Sequence, residues 1–169
     1  MKELREYLNL LKDLNPSYIY DWFLAIFCIG VVILLICKRK KAGRYIAILI
    51  LSEYTFLLYC TTVIFRVVRD SNRYALKPFW SYNKPDLFLE NIMNIVAFVP
   101  IGLLLGVIFR QIKWWNVMLI GGCISISIEI LQLITKRGFS EIDDVIHNEL
   151  GCVVGFLIAC CFSKKEKTL

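Results

Sequence analysis

Five long apolar stretches constrain this chain more than any other feature of its sequence. They lie at about residues 18–37, 45–65, 91–109, 114–134 and 143–162. Each has the length of about 20 residues that an α-helix needs to cross the hydrocarbon core of a bilayer. Hydrophobic residues make up 58% of the chain, above the roughly 45–50% of a soluble globular domain. We therefore predict an all-α, polytopic membrane helix bundle of about five transmembrane helices, with no sizeable soluble domain.

The charged segments between these stretches predict the orientation of the chain. Residues 1–15 place leucines at near-helical spacing beside a charged face, so we expect an interfacial amphipathic helix there rather than a cleavable signal peptide. Five Lys and Arg residues then fall within positions 38–44. By the positive-inside rule this dense basic segment is cytoplasmic. The N-terminus and the loops 66–91 and 135–142 are then outside, and the C-terminus is cytoplasmic.

These features divide the chain into three segments. Residues 1–44 hold the N-terminal amphipathic helix and the first transmembrane helix, residues 45–163 form a four-helix membrane domain, and residues 164–169 are a basic cytoplasmic tail. The net charge of +6 is distributed by side of the membrane. We therefore expect no nucleic-acid partner, although a strongly basic soluble protein would suggest one.

Polar residues inside the last two predicted spans indicate a functional site. Ser125, Glu129 and Gln132 follow i, i+4, i+7 spacing and share one face of a helix. Asp144 and Asn148 share a face at the start of the last span. A charged side chain at the bilayer centre costs roughly 2.5–3.5 kcal/mol on insertion scales, so it persists mainly in a bundle interior or a water-filled cavity. We predict an outward-facing polar pocket where these faces meet.

Small and amide residues on nearby helices are expected to complete this pocket. Gly151 and Gly155 form a Gly-xxx-Gly step, which permits close contact between helices. That contact could lie within one chain or between two, so the oligomeric state stays open. Asn94 lies one turn into the third predicted span, where Pro100 with Gly102 could kink the helix.

Two interpretations of the surrounding charges stay open on the sequence alone. In the functional one, basic residues of the outer loops hold a phosphate or carboxylate of an anionic head group. These residues are Arg66, Arg69, Arg73, Lys136 and Arg137. Glu129 or Asp144 is then the candidate for proton transfer, if the protein is an enzyme. In the structural one, Glu129 is paired with an arginine or protonated, and Asp143 and Asp144 simply favour a helix N-terminus.

Neither a metal nor any other cofactor is expected. His147 is the only histidine, and the seven cysteines show no Cys-x-x-Cys spacing. We therefore interpret His147 as an ordinary interfacial histidine and predict no metal site. Glu53, alone in the second predicted span, could join the pocket or pair with a neighbouring span.

The segments NIVAFVPIGLLLG (94–106) and IEILQ…KRGFSEIDDVIHNELGCVVG (128–155) resemble the VanZ-like membrane proteins. The shared pattern is an Asn before a Phe-x-Pro-x-Gly helix, then Glu-x-x-Gln, an Arg, an acidic turn, an Asn and two Gly. It falls on Asn94, Phe98, Pro100, Gly102, Glu129, Gln132, Arg137, Asp143, Asp144, Asn148, Gly151 and Gly155. Arg73 and the Pro78–Phe79 pair resemble the loop that precedes this pattern. The resemblance covers about residues 45–160 and makes 45–163 a VanZ-like domain.

This resemblance implies a bacterial plasma-membrane protein. The founding member of the family is associated with resistance to teicoplanin, a lipoglycopeptide antibiotic that targets cell-wall precursors. We expect a role in glycopeptide resistance or cell-envelope homeostasis, through a pocket that binds the antibiotic, a membrane lipid or the head group of a lipid-linked wall precursor. The expected binding residues are Arg73, Asn94, Gln132, Arg137, Asp143 and Asn148.

Two further functions remain as alternatives. One is an intramembrane enzyme that modifies a lipid or lipid-linked wall precursor, with Glu129 and Asp144 in acid–base roles. The other is a small transporter or flippase. Because the charged residues gather toward one side of the membrane, with Glu53 as the exception, the sequence favours a transporter least.

Overall fold

The computed structural model describes residues 26, 29, 40–71 and 73–165. Four helical segments of this part are long and apolar enough to cross a bilayer. They are Gly43–Ile64, Pro85–Ile108, Trp114–Thr135 and Ile142–Phe162. The predicted all-α membrane bundle is therefore confirmed. The N-terminal amphipathic helix and the first predicted span lie outside the described residues, except for Ile26 and Ile29, which are helical.

Four α-helices form the described bundle. They are α1 (Lys40–Tyr59), α2 (Phe88–Ile108), α3 (Trp114–Thr135) and α4 (Ile142–Lys165). A short π-helix, Cys60–Ile64, continues α1. Helices α1, α2 and α3 correspond to the second, third and fourth predicted spans, and α4 corresponds to the fifth. The division of the chain into three segments stays a prediction, because the structure describes only Ile26 and Ile29 of the first 39 residues and none of residues 166–169.

Helices α2 and α4 pack with their backbones in close contact. A Cβ atom on Gly151 would fall on the carbonyl oxygen of Ile95, and one on Gly155 would fall on that of Val99. Gly102 of α2 lies in the same way against the backbone of Cys152. The Gly-xxx-Gly step therefore serves a contact within the chain, and its partner is the helix that carries Asn94.

An apolar core and a few hydroxyl groups join the other helices to this pair. The core consists of Leu58, Val63, Phe98, Ile101, Leu105, Val117, Ile128 and Cys152. Tyr54 of α1 donates a hydrogen bond of 2.7 Å to the carbonyl oxygen of Ala97, in the turn before Pro100. Helix α2 runs on through this proline to Ile108. The hydroxyl groups of Tyr59 and Ser127 link α1 to α3.

The segments 65–87 and 136–141 form a layer at one end of the bundle, which we call the platform. Within it, β1 (Tyr74–Ala75) pairs in parallel with β2 (Ser140–Glu141), and Val68 forms an antiparallel bridge with Arg137. Two 3₁₀-helices follow, at Ser81–Asn83 and Pro85–Leu87. All four membrane helices meet the platform at one end, because α1 and α3 end there and α2 and α4 begin there. The candidate site lies beneath it.

Candidate functional site

The polar face of α3 is buried beneath the platform. Ser125, Glu129 and Gln132 are 0%, 7% and 4% exposed, which agrees with the shared face that their spacing predicts. The Glu129 carboxylate accepts a hydrogen bond of 2.8 Å from the backbone N–H of Glu141 and another from the side chain of Ser140. Strand β2 therefore fixes the position of Glu129 from above.

Asp144 of α4 brings α2 into the same site. Its Oδ1 accepts a hydrogen bond of 2.7 Å from Nδ2 of Asn94. The charges of Glu129 and Arg66 lie close enough to act on it. Two candidate proton-transfer groups, Glu129 and Asp144, are thus brought together from two helices, and an amide of a third helix orients one of them.

Glu141 is a third carboxylate of the site, and it was not among the residues predicted from the sequence. It is 8% exposed, and Nε1 of Trp80 donates a hydrogen bond of 2.8 Å to its Oε2. Burial, followed by the negative charge of Asp144, raises the pKa of Glu141 to about 7. The acidic run Glu141–Asp144 was a signal for this residue, but only the pairing of β1 with β2 shows that its side chain turns inward.

Two amide side chains lie beside these carboxylates, and each leaves its oxygen unpaired. Nδ2 of Asn148 donates to Oγ of Ser125 at 2.8 Å, and Nε2 of Gln132 donates to the carbonyl oxygen of Thr62 at 3.0 Å. Oδ1 of Asn148 and Oε1 of Gln132 are buried and have no hydrogen-bond partner among the described residues. Because buried polar atoms are usually satisfied, both oxygens are free acceptors for a ligand or a water molecule.

Arg66 supplies positive charge to the site from the platform. The residue is exposed, yet its charge acts on both Glu129 and Asp144. A Cβ atom on Gly138 would come within 3.1 Å of its Nη1 and 3.2 Å of Cδ of Gln132. Gly138 has a φ of 94°, a backbone conformation that favours glycine. This glycine therefore leaves room for the arginine and the amide to lie side by side.

Arg137 is enclosed where the platform meets the end of the first described membrane helix. It is 1% exposed, and its Nη1 donates to the carbonyl oxygens of Ile64 and Arg66. Ile64 is the last residue of the π-helix, and Arg66 lies two residues after it. Carbonyl groups at the end of a helix lack hydrogen-bond donors within the helix. Burial lowers the pKa of Arg137. The placement favours a structural role in holding the platform on α1, and ligand contact by Arg137 stays a prediction.

Asp143 is also committed to contacts inside the platform. It is 1% exposed and accepts hydrogen bonds from the backbone N–H of Phe79 at 2.5 Å and from both the N–H and the hydroxyl of Ser81 at 2.9 and 2.6 Å. Phe79 has a φ of 60°, unusual for a side chain of its size. Asp143 thus fixes the loop that leads into α2, and its predicted ligand contact is untested.

The remaining predicted residues are spread around the site. The Arg73 side chain is exposed on the platform. The backbone carbonyl oxygen of Arg73 accepts a hydrogen bond of 3.0 Å from the N–H of Ser140. His147 is buried at 3% exposure, where its ring stacks on Tyr82 and its Nε2 lies 3.0 Å from the Tyr82 hydroxyl. It is therefore more enclosed than an ordinary interfacial histidine. Within the described ranges, no group of three or more His, Cys, Asp and Glu residues could hold a metal ion.

Comparison with known proteins relates this site to a family. The family model for VanZ/LLP1 matches residues 22–163. The chain belongs to the VanZ/LLP1 family. Protein VanZ of Enterococcus faecium is 32% identical over 116 residues, which cover 63% of this chain and 71% of that protein. No solved structure matches the chain.

The family match extends further than the resemblance seen in the motifs. It begins at residue 22, so it includes most of the first predicted span, whereas the motifs cover only about residues 45–160. The carboxylates, the amides and Arg66 all lie within the match. Family membership and the four membrane-spanning helices together make this chain a multi-pass membrane protein of the VanZ/LLP1 family.

Proposed function

We propose that this protein contributes to teicoplanin resistance or cell-envelope homeostasis by binding a head group at the polar site beneath the platform. The observation that carries the proposal is the convergence of Glu129 and Asp144, from two membrane helices, with Glu141 and Arg66 of the platform. Ionisable groups within membrane spans are costly and are usually functional. The ligand is a membrane lipid, a lipid-linked wall precursor or the lipoglycopeptide antibiotic itself.

The proposed orientation places the platform outside the bacterial plasma membrane and the C-terminus in the cytoplasm. Basic residues at the opposite end of the bundle support it through the positive-inside rule. They are Lys40, Lys41, Arg44, Arg110, Lys113, Lys164 and Lys165. An outward platform gives the site access to wall precursors and to antibiotics on the outer surface. The N-terminus is then also outside, if the first predicted span crosses the membrane.

The platform surface suits an approach from the lipid interface. Tyr82 of the platform and Phe88 at the start of α2 are 64% and 67% exposed, and aromatic side chains are favoured at the level of the lipid head groups. Arg69 and Arg73 are exposed on the same layer. A head group held near Glu129 would therefore keep its acyl chains in the bilayer while its polar part reaches the platform.

A second candidate function is an intramembrane enzyme that modifies a lipid or a lipid-linked wall precursor. The facing positions of Glu129 and Asp144 favour it, since their charges act on each other across α3 and α4. Each carboxylate is also oriented, Glu129 by the Glu141 N–H and Asp144 by Asn94. Such a pair could transfer a proton to and from a bound head group.

Teicoplanin susceptibility of a sensitive Gram-positive host tests the proposal. The host expresses the wild-type protein, Glu129→Gln or no protein, at matched membrane abundance. We expect the wild type to raise the minimum inhibitory concentration and Glu129→Gln to abolish the increase. Profiles of the lipids and wall precursors then separate the two candidates, because only an enzyme changes a covalent structure. An unchanged minimum inhibitory concentration with abundant wild-type protein would contradict the resistance role.

A further inference from the structure

The polar site is rich in hydrogen-bond acceptors and poor in donors. Three carboxylates, those of Glu129, Glu141 and Asp144, converge there, and the positive charge of Arg66 acts on Glu129 and Asp144. The basic residues of the outer loops predicted an anionic head group held by several cations. Arg137 instead donates to backbone carbonyl groups. An anion alone would therefore meet more negative than positive charge at this place.

Two unpaired amide oxygens also make the site rich in hydrogen-bond acceptors, independently of the charges. Asn148 lies one helical turn below Asp144, and Ser125, to which it is hydrogen-bonded, lies one turn below Glu129. The Asn148 side chain is 5% exposed, so this amide is buried one turn from Asp144 on α4. Gln132, 4% exposed, lies on the α3 face of Glu129 and beside Arg66. Both side chains already use their N–H groups, so each offers the site an unpaired oxygen.

These features fit a ligand that carries several N–H donors and a positive charge. A primary ammonium group has three donors and no acceptor, and its hydrogen bonds to carboxylates are charge-assisted. A quaternary ammonium group has the same charge but cannot donate. Arg66 would remain available for an anionic group next to the ammonium group, and a guanidinium binds phosphate with two parallel hydrogen bonds.

We propose that Glu129, Asp144, Gln132 and Asn148 bind the primary ammonium group of a phosphate-bearing lipid head group, and that Arg66 binds its phosphate. This inference rests on the proposed function and names the chemical class of ligand for the same site. The class includes the common aminophospholipids, and a lipid-linked wall precursor with a free amine shares its chemistry.

Lipid competition on the purified full-length protein tests this assignment without any mutation. Native mass spectrometry in detergent would compare phosphatidylethanolamine with its N-monomethyl, N,N-dimethyl and N,N,N-trimethyl forms, at equal acyl chains. Each methyl group removes one donor and keeps the charge. We expect affinity to fall with each methyl group, and to be about tenfold or more lower for the trimethyl form, as expected for the loss of charge-assisted hydrogen bonds. Equal binding of the four lipids, or preferred binding of phosphatidylglycerol, would overturn the proposal.

Matched variants locate the ammonium group. Glu129→Gln should remove the preference for phosphatidylethanolamine over phosphatidylcholine, while Arg66→Gln should weaken both lipids equally. Glu149→Gln is the control, because Glu149 is a carboxylate of the same helix as Asp144 but lies against Gly122, in a groove that Trp114 and Trp115 also line. It should keep the preference. A preference that survives in Glu129→Gln, in protein that elutes as the wild type does on size exclusion, would place the ammonium group elsewhere and overturn the assignment.

Two further comparisons complete the test. One distinguishes recognition of the head group alone from recognition of the whole lipid, and the other distinguishes the ligand class from the proposed function. Soluble phosphoethanolamine competes if the head group alone is recognised, whereas competition by the lipid only indicates that the acyl chains contribute. A teicoplanin phenotype that Glu129→Gln abolishes, without any selectivity among the methylated lipids, would overturn the ligand class and leave the proposed function standing. Selectivity without any resistance phenotype would support the ligand class and contradict the resistance role.

Discussion

Replacement of Arg137 by alanine should destabilise the protein rather than weaken ligand binding alone. Arg137 is almost fully buried, and its Nη1 donates to the carbonyl oxygens of Ile64 and Arg66. Its backbone also bridges to Val68. The side chain therefore satisfies the end of the first described membrane helix and holds the platform above the site.

The expected size of the effect follows from these contacts. Hydrogen bonds from a charged donor contribute about 1.5–3 kcal/mol each, so the loss of two should lower the free energy of unfolding by about 3–6 kcal/mol. The two carbonyl groups lose a buried partner, which acts in the same direction. Arg137→Lys keeps a charge but not the planar fork of donors, so it should recover only part of the stability.

Thermal unfolding of the purified protein in detergent, followed by circular dichroism, measures this effect. Arg137→Ala should lower the midpoint by more than about 6 °C and reduce membrane abundance. Arg73→Ala is the matched control, because Arg73 is an exposed arginine of the same platform, and it should change stability by less than about 0.5 kcal/mol. An Arg137→Ala protein as stable as Arg73→Ala would refute the structural role and restore Arg137 as a candidate ligand-binding residue.

Three further perturbations test the platform and the helix packing. Asp143→Asn should loosen the loop around Phe79 and Ser81, because the amide cannot accept all of the hydrogen bonds that the carboxylate receives; limited proteolysis should then cleave this loop faster than in the wild type. Gly155→Leu should force α2 and α4 apart, because a Cβ atom there already falls on the Val99 carbonyl oxygen; membrane abundance should drop severely, whereas Leu157→Ala at an exposed position of α4 should be tolerated. Finally, the raised pKa of Glu141, about 7, means that folding favours its protonated form. Its contribution to stability is therefore fully present below about pH 4.5 and is lost as the pH rises through 7. The unfolding temperature should fall between pH 5.5 and pH 8, and Glu141→Gln should flatten this dependence; a wild type without such a fall would contradict the assignment.

The membrane helices could be predicted from sequence because hydrophobic length alone specifies them. The predicted ends of the last four spans agree with the structure to within a few residues. Among the membrane-crossing segments, the largest difference is at the start of the third predicted span, which begins at Pro85 rather than at about residue 91, because the 3₁₀-helix Pro85–Leu87 leads into α2. The buried face of Ser125, Glu129 and Gln132 was also predictable, since helical spacing determines which residues share a face.

The arrangement of the site could be predicted only in part. Nothing in the spacing shows that Gly151 and Gly155 pack on α2, because a small-residue step does not specify its partner. The spacing also does not separate Asp143, which holds the platform, from Asp144 beside it, which faces the carboxylates. Arg137 and Glu141 depend on how the platform segments pair, and that pairing joins residues far apart in the chain. Local sequence patterns carry little information about such contacts.

The most direct test of a functional site beneath the platform compares two carboxylates of the bundle in one assay. Glu129 lies beneath the platform among the acceptors of the site, whereas Glu149 lies against Gly122 in a groove with Trp114 and Trp115. Each is changed to glutamine in a teicoplanin-sensitive Gram-positive host, at membrane abundance matched to the wild type. Glu129→Gln should abolish the increase in minimum inhibitory concentration, whereas Glu149→Gln should retain it. Retained resistance in Glu129→Gln, or equal loss in both variants, would contradict the claim that function resides in the polar site beneath the platform.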